Sequence, residues 1–308
     1  MSSQNRDWAS SYLELMVGSR VEEGLSLKEK HFPQSFFKYR KLNTLTIESL
    51  KHQKIWLSEL NALNDPFECS LQFDNDACLR LLYSDKRYLE IVKQNFGLEL
   101  SDEEVNEIVS SDKPHVTYSK FCHSKNIPFS QSPEEQIAEV QKGQAIILNE
   151  ASKSIRISCF SEFNNSLLMW SHYADEHKGI CIEYDFLDEQ EIRVFLQPII
   201  YSTKIYKIPT YEDFTLLQLI GASLNKCKDW EYEGEWRLTI LKNTNSFEEK
   251  KISVPKPKAI YLGTRFTQND EELKMEFMKA VNQQNIPVYE MEKHPTEYKL
   301  VKKTRLNK

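Results

Sequence analysis

The sequence predicts an α+β fold, with a twisted, mostly antiparallel sheet core and an inserted helical subdomain. Apolar segments of strand length occur before residue 76 and after residue 150, whereas the stretch between them has apolar residues at helical spacing. Hydrophobic residues make up 40% of the 308 residues and aromatic residues 11%, as is typical of a globular chain with a sizeable core. We therefore expect an N-terminal helical segment (1–34), an α/β core (35–75 and 151–308) and a helical insertion (76–150).

The elements before the insertion alternate between helices and strands. Apolar side chains from Trp8 to Val17 recur every few residues, which predicts an amphipathic helix within residues 2–30. Aromatic residues surround Arg40 in a segment that suits the first strand. We expect that strand at 36–42, a helix at 46–52, a second strand at 54–58 and a turn with the order Asn-Asp-Pro at 63–68.

Two polar clusters in the insertion have the composition of helix starts. Ser101 is followed by three acids, and Ser132 is followed by Pro133 and two glutamates. Serine suits the N-cap, acids suit the first turn, and proline suits the first helical position. We therefore expect helices to begin after both serines.

The stretch 156–185 has the highest density of aromatic and reactive side chains in the chain. Its pattern predicts a half-buried strand at 155–160, a polar turn, a short helix from Leu167 and, after Gly179, a strand at 180–184. A loop and a short helix between two strands are suited to placing a functional site on a rigid scaffold. Its reactive residues are Ser158, Ser161, Glu162, His172, Asp175, His177, Lys178 and Glu183.

The rest of the chain continues the alternation of strands and helices. A strand or strand pair interrupted at Pro198 is expected first, followed by a helix that is rich in leucine. A loop then leads into a strand at Trp236. The strand or strand pair is predicted at 193–201, the helix at 211–228, and the loop with its strand at 229–241. Two short strands follow within 251–262, then a helix at 269–285 and a last strand at 288–291.

Charge and cysteine content narrow the classes of function. The net charge is −6, with 40 basic and 46 acidic residues, which disfavours a protein that binds duplex nucleic acid by bulk electrostatics. The six cysteines form no CxxC pair, so we interpret them as free thiols in a reducing compartment. No signal-peptide pattern or membrane-length apolar run is present, and we expect a cytoplasmic protein without a membrane partner.

Glu233 and Glu235 are the strongest candidates for catalytic residues. They stand at i and i+2 at a loop-to-strand junction, and such positions point to the same side of a strand. A carboxylate pair of this kind can stabilise an oxocarbenium ion with one member and activate an acceptor with the other. The alternative is an exposed loop in which these acids pair with Arg237 or Lys228.

Arg40, Ser158 and Ser161 are candidates for binding residues. An arginine among aromatic side chains is either a structural stacking group or a fork for phosphate or carboxylate. Serines at a strand end can orient a ribose or a catalytic glutamate, although most are simple strand-edge hydroxyls. All three residues therefore keep a structural and a functional interpretation.

The histidines do not form a recognisable metal motif. His172 and His177 are five residues apart, which does not place both imidazoles on one face of a helix as a zinc motif requires. We predict no metal site and expect His172 to be a buried, hydrogen-bonded residue beneath Trp170.

Seven motifs together resemble a bacterial family catalogued as a domain of unknown function, over residues 36–262. The combination is specific, but the family name supplies no chemistry. The motifs are Tyr39-Arg40, Trp56-Leu57-Ser58, the NDPFE sequence at 64–68, Cys159-Phe160-Ser161, MWSHYAD at 169–175, HKGICI at 177–182 and WEYEGEWR at 230–237.

The order of arginine, serine and Glu-x-Glu also resembles the Arg–Ser–Glu class of ADP-ribosyltransferases. This resemblance implies that fold, NAD as the substrate, Arg40 on the NAD phosphates and Glu235 as the catalytic glutamate. It also implies that Glu233 activates the acceptor and that Ser158 and Ser161 take the serine role. Ser-Cys-Phe-Ser departs from the usual Ser-Thr-Ser of that class. The aromatic groups expected to wall the NAD cleft are Trp170, Tyr173 and Trp230, with His172 beside them.

The resemblance implies an enzyme that modifies a macromolecule, either protein or nucleic acid, as a bacterial toxin or phage-defence effector, with a regulatory partner as a further expectation. The first alternative is a non-catalytic sensor or interaction module that binds a partner or small ligand on an aromatic face. The second alternative is a metal-dependent nuclease, which requires Asp175, His177 and Glu183 to meet, with Asp65 as an additional candidate ligand.

Overall fold

The computed structural model of the chain describes residues 7–127, 132–241 and 250–306. It contains two compact units, which we call the sheet unit and the helical unit. The sheet unit comprises the described residues up to Cys69, Lys153–Lys204 and those from Ser223 onward, and the helical unit comprises Ser70–Ser152 and Ile205–Ala222. Parts of the predicted N-terminal segment, insertion and core lie outside the described residues, at 1–6, 128–131, 242–249 and 307–308.

Polar side chains cap several helices, including the two whose starts the sequence indicates at Ser101 and Ser132. Asn43 caps one helix through a 2.8 Å bond from Thr46 N, and Ser101 and Ser132 form reciprocal caps with Glu104 and Glu135. None of the described helices is long and apolar enough to cross a membrane. The helices are α1 (Asp7–Val17), α2 (Val21–Lys30), α3 (Thr44–His52), α4 (Asn75–Ser84), α5 (Lys86–Phe96), α6 (Asp102–Ser110), α7 (Pro114–Ser124), α8 (Pro133–Ser152), α9 (Leu167–Tyr173), α10 (Gln190–Phe195), α11 (Leu216–Ser223) and α12 (Glu271–Gln283).

The strands are short and belong to four sheets. The strands are β1 (Phe36–Arg40), β2 (Lys54–Trp56), β3 (Ser58–Glu59), β4 (Leu71–Phe73), β5 (Ile155–Ser161), β6 (Ile180–Tyr184), β7 (Leu196–Pro198), β8 (Ile200–Ser202), β9 (Tyr206–Ile208), β10 (Asn225–Cys227), β11 (Glu235–Leu241), β12 (Lys251–Ser253), β13 (Ala259–Leu262), β14 (Val288–Lys293) and β15 (Leu300–Arg305).

The main sheet of the sheet unit is mixed and open. Its order among the described residues is β15-β14-β13-β6-β1-β5-β11-β7, with β3 also paired to β5. Every pair is antiparallel except β13 with β14, which is parallel. The α+β class is therefore confirmed.

Both faces of the main sheet are covered. One face buries Phe36, Phe160 and Trp236 in a large cluster, and the other buries Tyr39 and Trp170 in a smaller one. Consequently β5 and β6 are buried along almost their whole length, whereas the sequence predicted a half-buried strand at 155–160. The central strands thus have little freedom to move the side chains that they carry.

β1 and β5 pair at one end and separate at the other. At one end of this edge β5 pairs with β1, and Phe37 lies opposite Ser161. Further along the same edge β5 pairs with β3 instead, and Ser58 lies opposite Ile157. Between these two pairings, residues 158–160 have no ladder partner on this edge among the described residues. The separation of the strands leaves room for a cavity inside the sheet unit.

The helical unit packs α4, α6, α7 and α8 around a core that includes Leu79, Tyr83, Ile108 and Tyr118. It also contains residues 205–222, which the sequence assigned to the α/β core. The reason is a parallel pair between β4 and β9, in which Phe73 lies opposite Ile208. Pairing between segments so far apart leaves no local pattern in the sequence.

Three other predicted elements differ in extent. The N-terminal helix divides into α1 and α2 at a turn in which Ser19 has a φ of 62°. The predicted strand at 193–201 begins as the end of α10, and the predicted helix at 211–228 ends at Ser223 because Asn225 onward pairs with β8. In the last case strand pairing between distant segments overrides the local periodicity.

Candidate active site

A cavity of about 180 Å³ lies in the sheet unit where β1, β3 and β5 separate. Acidic, basic and aromatic side chains all contribute to its lining. Six predicted site residues contribute to the lining, namely Arg40, Ser158, Ser161, Tyr173, Glu233 and Glu235. The structure thus brings the arginine, both serines and both carboxylates of the predicted site together.

The two carboxylates reach this inner cavity from different backbone conformations. Glu233 ends a short 3-10 helix (Lys228–Glu233), Gly234 has a φ of 50°, and Glu235 begins β11. They do not share a strand face as the sequence predicted. Ser161, opposite Glu235 in the β5–β11 register, donates its hydroxyl to the Glu233 carbonyl at 2.6 Å. Ser161 therefore fixes the turn that presents Glu233.

Glu233 has a hydroxyl and an ammonium as its partners. Tyr173 donates to Oε1 at 2.5 Å, and Lys226 donates to Oε2 at 2.5 Å. Burial raises the pKa of Glu233, the charge of Glu235 raises it further, and the ammonium of Lys226 opposes both effects. Glu233 is thus the member of the pair that binds a proton more readily.

Glu235 is held as a carboxylate by two cations. Lys226 donates to Oε2 at 2.8 Å, and the guanidinium of Arg237 donates to Oε1 at 3.0 and 2.8 Å. Burial alone would raise the pKa of Glu235, but its ion pairs with Arg237 and Lys226 outweigh burial and hold that pKa well below its usual range. Arg237 also binds Glu68 at 2.5 Å. Of the pairs expected in the alternative interpretation, the one between Arg237 and Glu235 is present, but it belongs to a buried network and not to an exposed loop.

Lys38 is a second buried lysine that lines the inner cavity. Its ammonium nitrogen lies 2.7 Å from Ser158 Oγ and 2.8 Å from the carbonyl of Cys159, one of the β5 residues without a ladder partner at this edge. Ser158 is therefore occupied by Lys38. Burial raises the pKa of the neighbouring Cys159 thiol to about 12, with a further contribution from Glu235, so this thiol is not a nucleophile at neutral pH.

Arg40 lies at the junction of the inner cavity and a larger outer cavity of about 640 Å³. Among the described residues, no hydrogen bond or ion pair engages its guanidinium, and burial lowers its pKa. Five N–H donors next to open space constitute an anion-binding group. The residues that line both cavities are Lys38, Arg40, Trp56, Ser58 and Tyr173, so the two cavities form one cleft.

Trp170 and His172 do not lie where the sequence placed them. Trp170 is fully buried against Tyr39 and donates to the Asn164 carbonyl at 2.8 Å, so it cannot wall the cleft. His172 is exposed at the rim of the outer cavity, and His177 is the imidazole that stacks on Trp170. The two histidines exchange their expected positions because α9 ends at Tyr173 and the residues after it form a left-handed turn. This turn places His177 against the ring of Trp170.

Trp230, the third aromatic residue expected to wall the cleft, lies behind the carboxylates. Its ring is 5.1 Å from Lys226 Nζ and 6.0 Å from the ring of Tyr232. A cation over an indole face is a favourable contact, so Trp230 helps to hold the lysine in place. Its contribution to the cleft is therefore indirect.

The turn after α9 anchors one side of the cleft. Asp175, Glu176 and His177 all have positive φ values, between 48° and 70°, which residues with a Cβ rarely adopt. The turn packs so closely that a Cβ on Gly179 would lie 2.2 Å from the carbonyl oxygen of Arg40. The glycine therefore allows the strained turn to contact the end of β1, where Arg40 is presented.

We expect Gly179→Ala to lower the free energy of unfolding by about 1–3 kcal/mol, because the neighbouring atoms are backbone and must move. Urea denaturation measures the change. Gly143→Ala is the matched control, since its Cβ meets nothing within 4 Å and alanine favours the helix α8 by about 0.5–1 kcal/mol. Equal effects of the two substitutions would contradict the close contact.

The candidate metal ligands of the nuclease alternative are dispersed. Glu183 accepts from Ser35 at 2.6 Å and from Tyr261 at 2.6 Å, and Asp175 pairs with Lys178 at 3.3 Å. Within residues 7–127, 132–241 and 250–306, no three His, Cys, Asp or Glu side chains are placed to hold a metal ion. The structure therefore gives this alternative no ligand cluster.

Four residues of the site were not predicted from the sequence, namely Lys38, Glu68, Lys226 and, as a buried member of the site, Arg237. One signal was available: Lys38 and Arg40 stand at i and i+2 in the first strand and thus share a face. The contacts of Lys226 and Glu68 depend on chain segments that are distant in sequence. The NDPFE motif does contribute, because Glu68 closes the charge network and Asn64 donates to Tyr173 at 3.3 Å.

Residues 169–238 match the family model described as protein of unknown function (DUF2971). This match confirms the resemblance to a family of unknown function, over a shorter stretch than the motifs suggested. It includes Tyr173, Lys226 and both carboxylates, whereas Lys38 and Arg40 lie outside it. No curated protein and no solved structure matches the chain.

Proposed function

We propose that the chain is an ADP-ribosyltransferase-like enzyme that consumes NAD and has the fold of that class. The observation that supports this best is the composition of one cleft. It holds a carboxyl with a raised pKa, a carboxylate with a depressed pKa, and an arginine without a partner among the described residues. Two carboxyls whose environments separate their pKa values are typical of an acid–base site.

Glu235 would stabilise the transition state. When nicotinamide leaves NAD, the electrons of the C–N bond depart with it and positive charge develops on the ribose C1 and its ring oxygen. A carboxylate that stays ionised in a buried site stabilises this charge more strongly than it would in water. Arg237 and Lys226 keep Glu235 ionised at neutral pH.

Glu233 would accept the proton of the attacking group. An acceptor hydroxyl or water forms its bond to C1 as the proton passes to the carboxylate, a task suited to a group with a raised pKa. Tyr173 and Ser161 hold Glu233 in place. In this proposal the acceptor is part of a cytoplasmic protein or nucleic acid, as in a toxin or phage-defence effector.

Arg40 would bind the diphosphate of NAD between the two cavities. The inner cavity then takes the nicotinamide ribose, and the outer cavity takes the adenosine, with Trp56 and His172 at its wall. Tyr173 lines both cavities and would contact both halves of the dinucleotide. The two serines would have different tasks, since Ser161 supports Glu233 and Ser158 accepts a hydrogen bond from Lys38.

Nicotinamide release from NAD, with cell lysate as the source of acceptor, tests this function. We expect wild-type protein to release nicotinamide and Arg40→Gln to raise KM by about 10–100-fold, the value of a lost hydrogen bond to a charged group. Arg40→Lys should recover part of the loss, because it retains the charge but not the fork. Absence of release from folded wild-type protein would reject the enzyme proposal.

A non-catalytic binding module is the second candidate, and a specific contact favours it. Both oxygens of Glu235 are already held by cations, which suits a carboxylate that supports a binding cleft. Under this function the protein binds NAD or another anionic ligand at Arg40 without releasing nicotinamide. If calorimetry shows that NAD binds and no nicotinamide is released, the protein is a binding module.

A further inference from the structure

Lys38 differs from the other buried lysine of the cleft in its partners. Lys226 contacts two carboxylates, at 2.5 and 2.8 Å. The Lys38 nitrogen contacts a hydroxyl and a carbonyl and lies 4.7 Å from the ring centroid of Phe160. Among the described residues it forms no ion pair. The fold therefore buries this amine without a direct counter-ion.

Such surroundings favour the neutral amine. Burial holds the pKa of Lys38 well below its usual value, and the nearby charge of Arg40 lowers it further. A neutral amine has two N–H groups and one lone pair, and Ser158 Oγ and the Cys159 carbonyl are the acceptors for the two N–H groups. Within the described part of the chain, no donor other than the Ser158 hydroxyl is within hydrogen-bond distance of Nζ, so the lone pair is available as a nucleophile.

Arg40 supplies an anion-binding group beside this amine. Lys38 and Arg40 are two positions apart on β1, about 7 Å along a strand, and both line the inner and the outer cavity. A small molecule can therefore contact the amine and the guanidinium together. The pair matches a compound with a carbonyl group at one end and a phosphate or carboxylate at the other.

We propose that Lys38 is an imine-forming lysine that binds carbonyl compounds carrying an anionic group, with Arg40 as the anion subsite. The lone pair on Nζ attacks the carbonyl carbon and forms a C–N bond, while the carbonyl oxygen takes up a proton. The resulting carbinolamine loses its hydroxyl group and the last N–H proton as one water molecule, and the nitrogen lone pair forms the C=N bond. No oxidant or reductant is needed. The site does not depend on cleavage of NAD and goes beyond the proposed transferase activity.

Reductive trapping tests the proposal on the wild-type protein. Pyridoxal 5′-phosphate is the probe, because it joins an aldehyde to a phosphate, and borohydride converts the imine into a stable secondary amine by donating hydride. Peptide mass spectrometry then compares Lys38 with exposed lysines such as Lys93 and Lys142. At pH 7 and substoichiometric probe, we expect labelling at Lys38 to exceed labelling at either exposed lysine by at least about tenfold.

Two controls separate a built site from general lysine reactivity. Arg40→Gln, checked for folding by circular dichroism, should reduce labelling of Lys38 by about tenfold or more and leave the exposed lysines unchanged. Pyridoxal, which lacks the phosphate, should label Lys38 to the same extent in the wild-type protein and in Arg40→Gln. Labelling of Lys38 at or below the level of Lys93, or labelling that Arg40→Gln does not change, would overturn the proposal. Trapping without nicotinamide release would reject the transferase function alone, and release without trapping would reject the imine site alone.

Discussion

Glu233→Gln is expected to lower the rate of nicotinamide transfer from NAD to its acceptor by about 10²–10⁴-fold, the usual contribution of a general base. The amide has the size of the carboxylate and can still accept the hydrogen bond from Tyr173. It cannot take up the proton of the attacking hydroxyl. Quantification of free nicotinamide and of labelled acceptor under initial-rate conditions measures the loss.

The pH dependence of the rate provides an independent readout of the same residue. A general base must be ionised, so activity is lost as pH falls through the pKa of Glu233, which burial raises above its ordinary 4.5. The wild-type profile should therefore have an acidic limb above pH 4.5, and the residual rate of Glu233→Gln should lack it. Glu231→Gln, in the same short helix but outside the cleft lining, is the control. A Glu233→Gln rate within a factor of about three of wild type would exclude the assigned role.

Arg237→Met is expected to have the largest effect on stability, about 3–5 kcal/mol in the free energy of unfolding. Arg237 is completely buried and binds Glu235, Glu68 and the carbonyl of Ser223. Methionine fills similar space but leaves two buried carboxylates short of a counter-charge. Guanidinium denaturation measures the loss, and Arg20→Met, which breaks an exposed pair with Glu23, should leave the free energy of unfolding nearly unchanged.

The acid dependence of stability should change in the same variant. Because the folded pKa of Glu235 lies below its ordinary 4.5, this residue contributes stability that is present above pH 4.5 and is lost as pH falls through the folded pKa. Removal of Arg237 takes away the cation that lowers the pKa of Glu235 most, so the acid limb should become shallower. Adding Glu68→Gln and Glu235→Gln should recover part of the stability, since fewer buried charges then lack a partner. A triple variant less stable than Arg237→Met would contradict this explanation.

Local sequence patterns were sufficient for the site residues that lie on regular elements. Arg40 within an aromatic strand, Ser161 at a strand end and Glu235 at the start of β11 all line one cleft. Helix starts at Ser101 and Ser132 also follow local rules, because a cap needs only the residues of one turn. These features depend on neighbours that are close in sequence.

The remaining features depend on pairings between distant segments. The separation of β1 from β5 exists because β3 takes over the edge of β5, and Lys38 enters the site by binding across that gap. The places of His172 and His177 are exchanged relative to the prediction because three consecutive residues adopt positive φ values. Helical periodicity gave no sign of this turn, since residues with a Cβ rarely adopt such values.

A crystal structure of the protein with a non-cleavable NAD analogue tests most directly whether this cleft is an NAD site. We expect diphosphate oxygens about 2.7–3.2 Å from the guanidinium of Arg40, with the nicotinamide ribose in the inner cavity beside Glu233 and Glu235. An analogue bound at another surface, or no binding at a concentration that saturates NAD enzymes, would contradict this expectation.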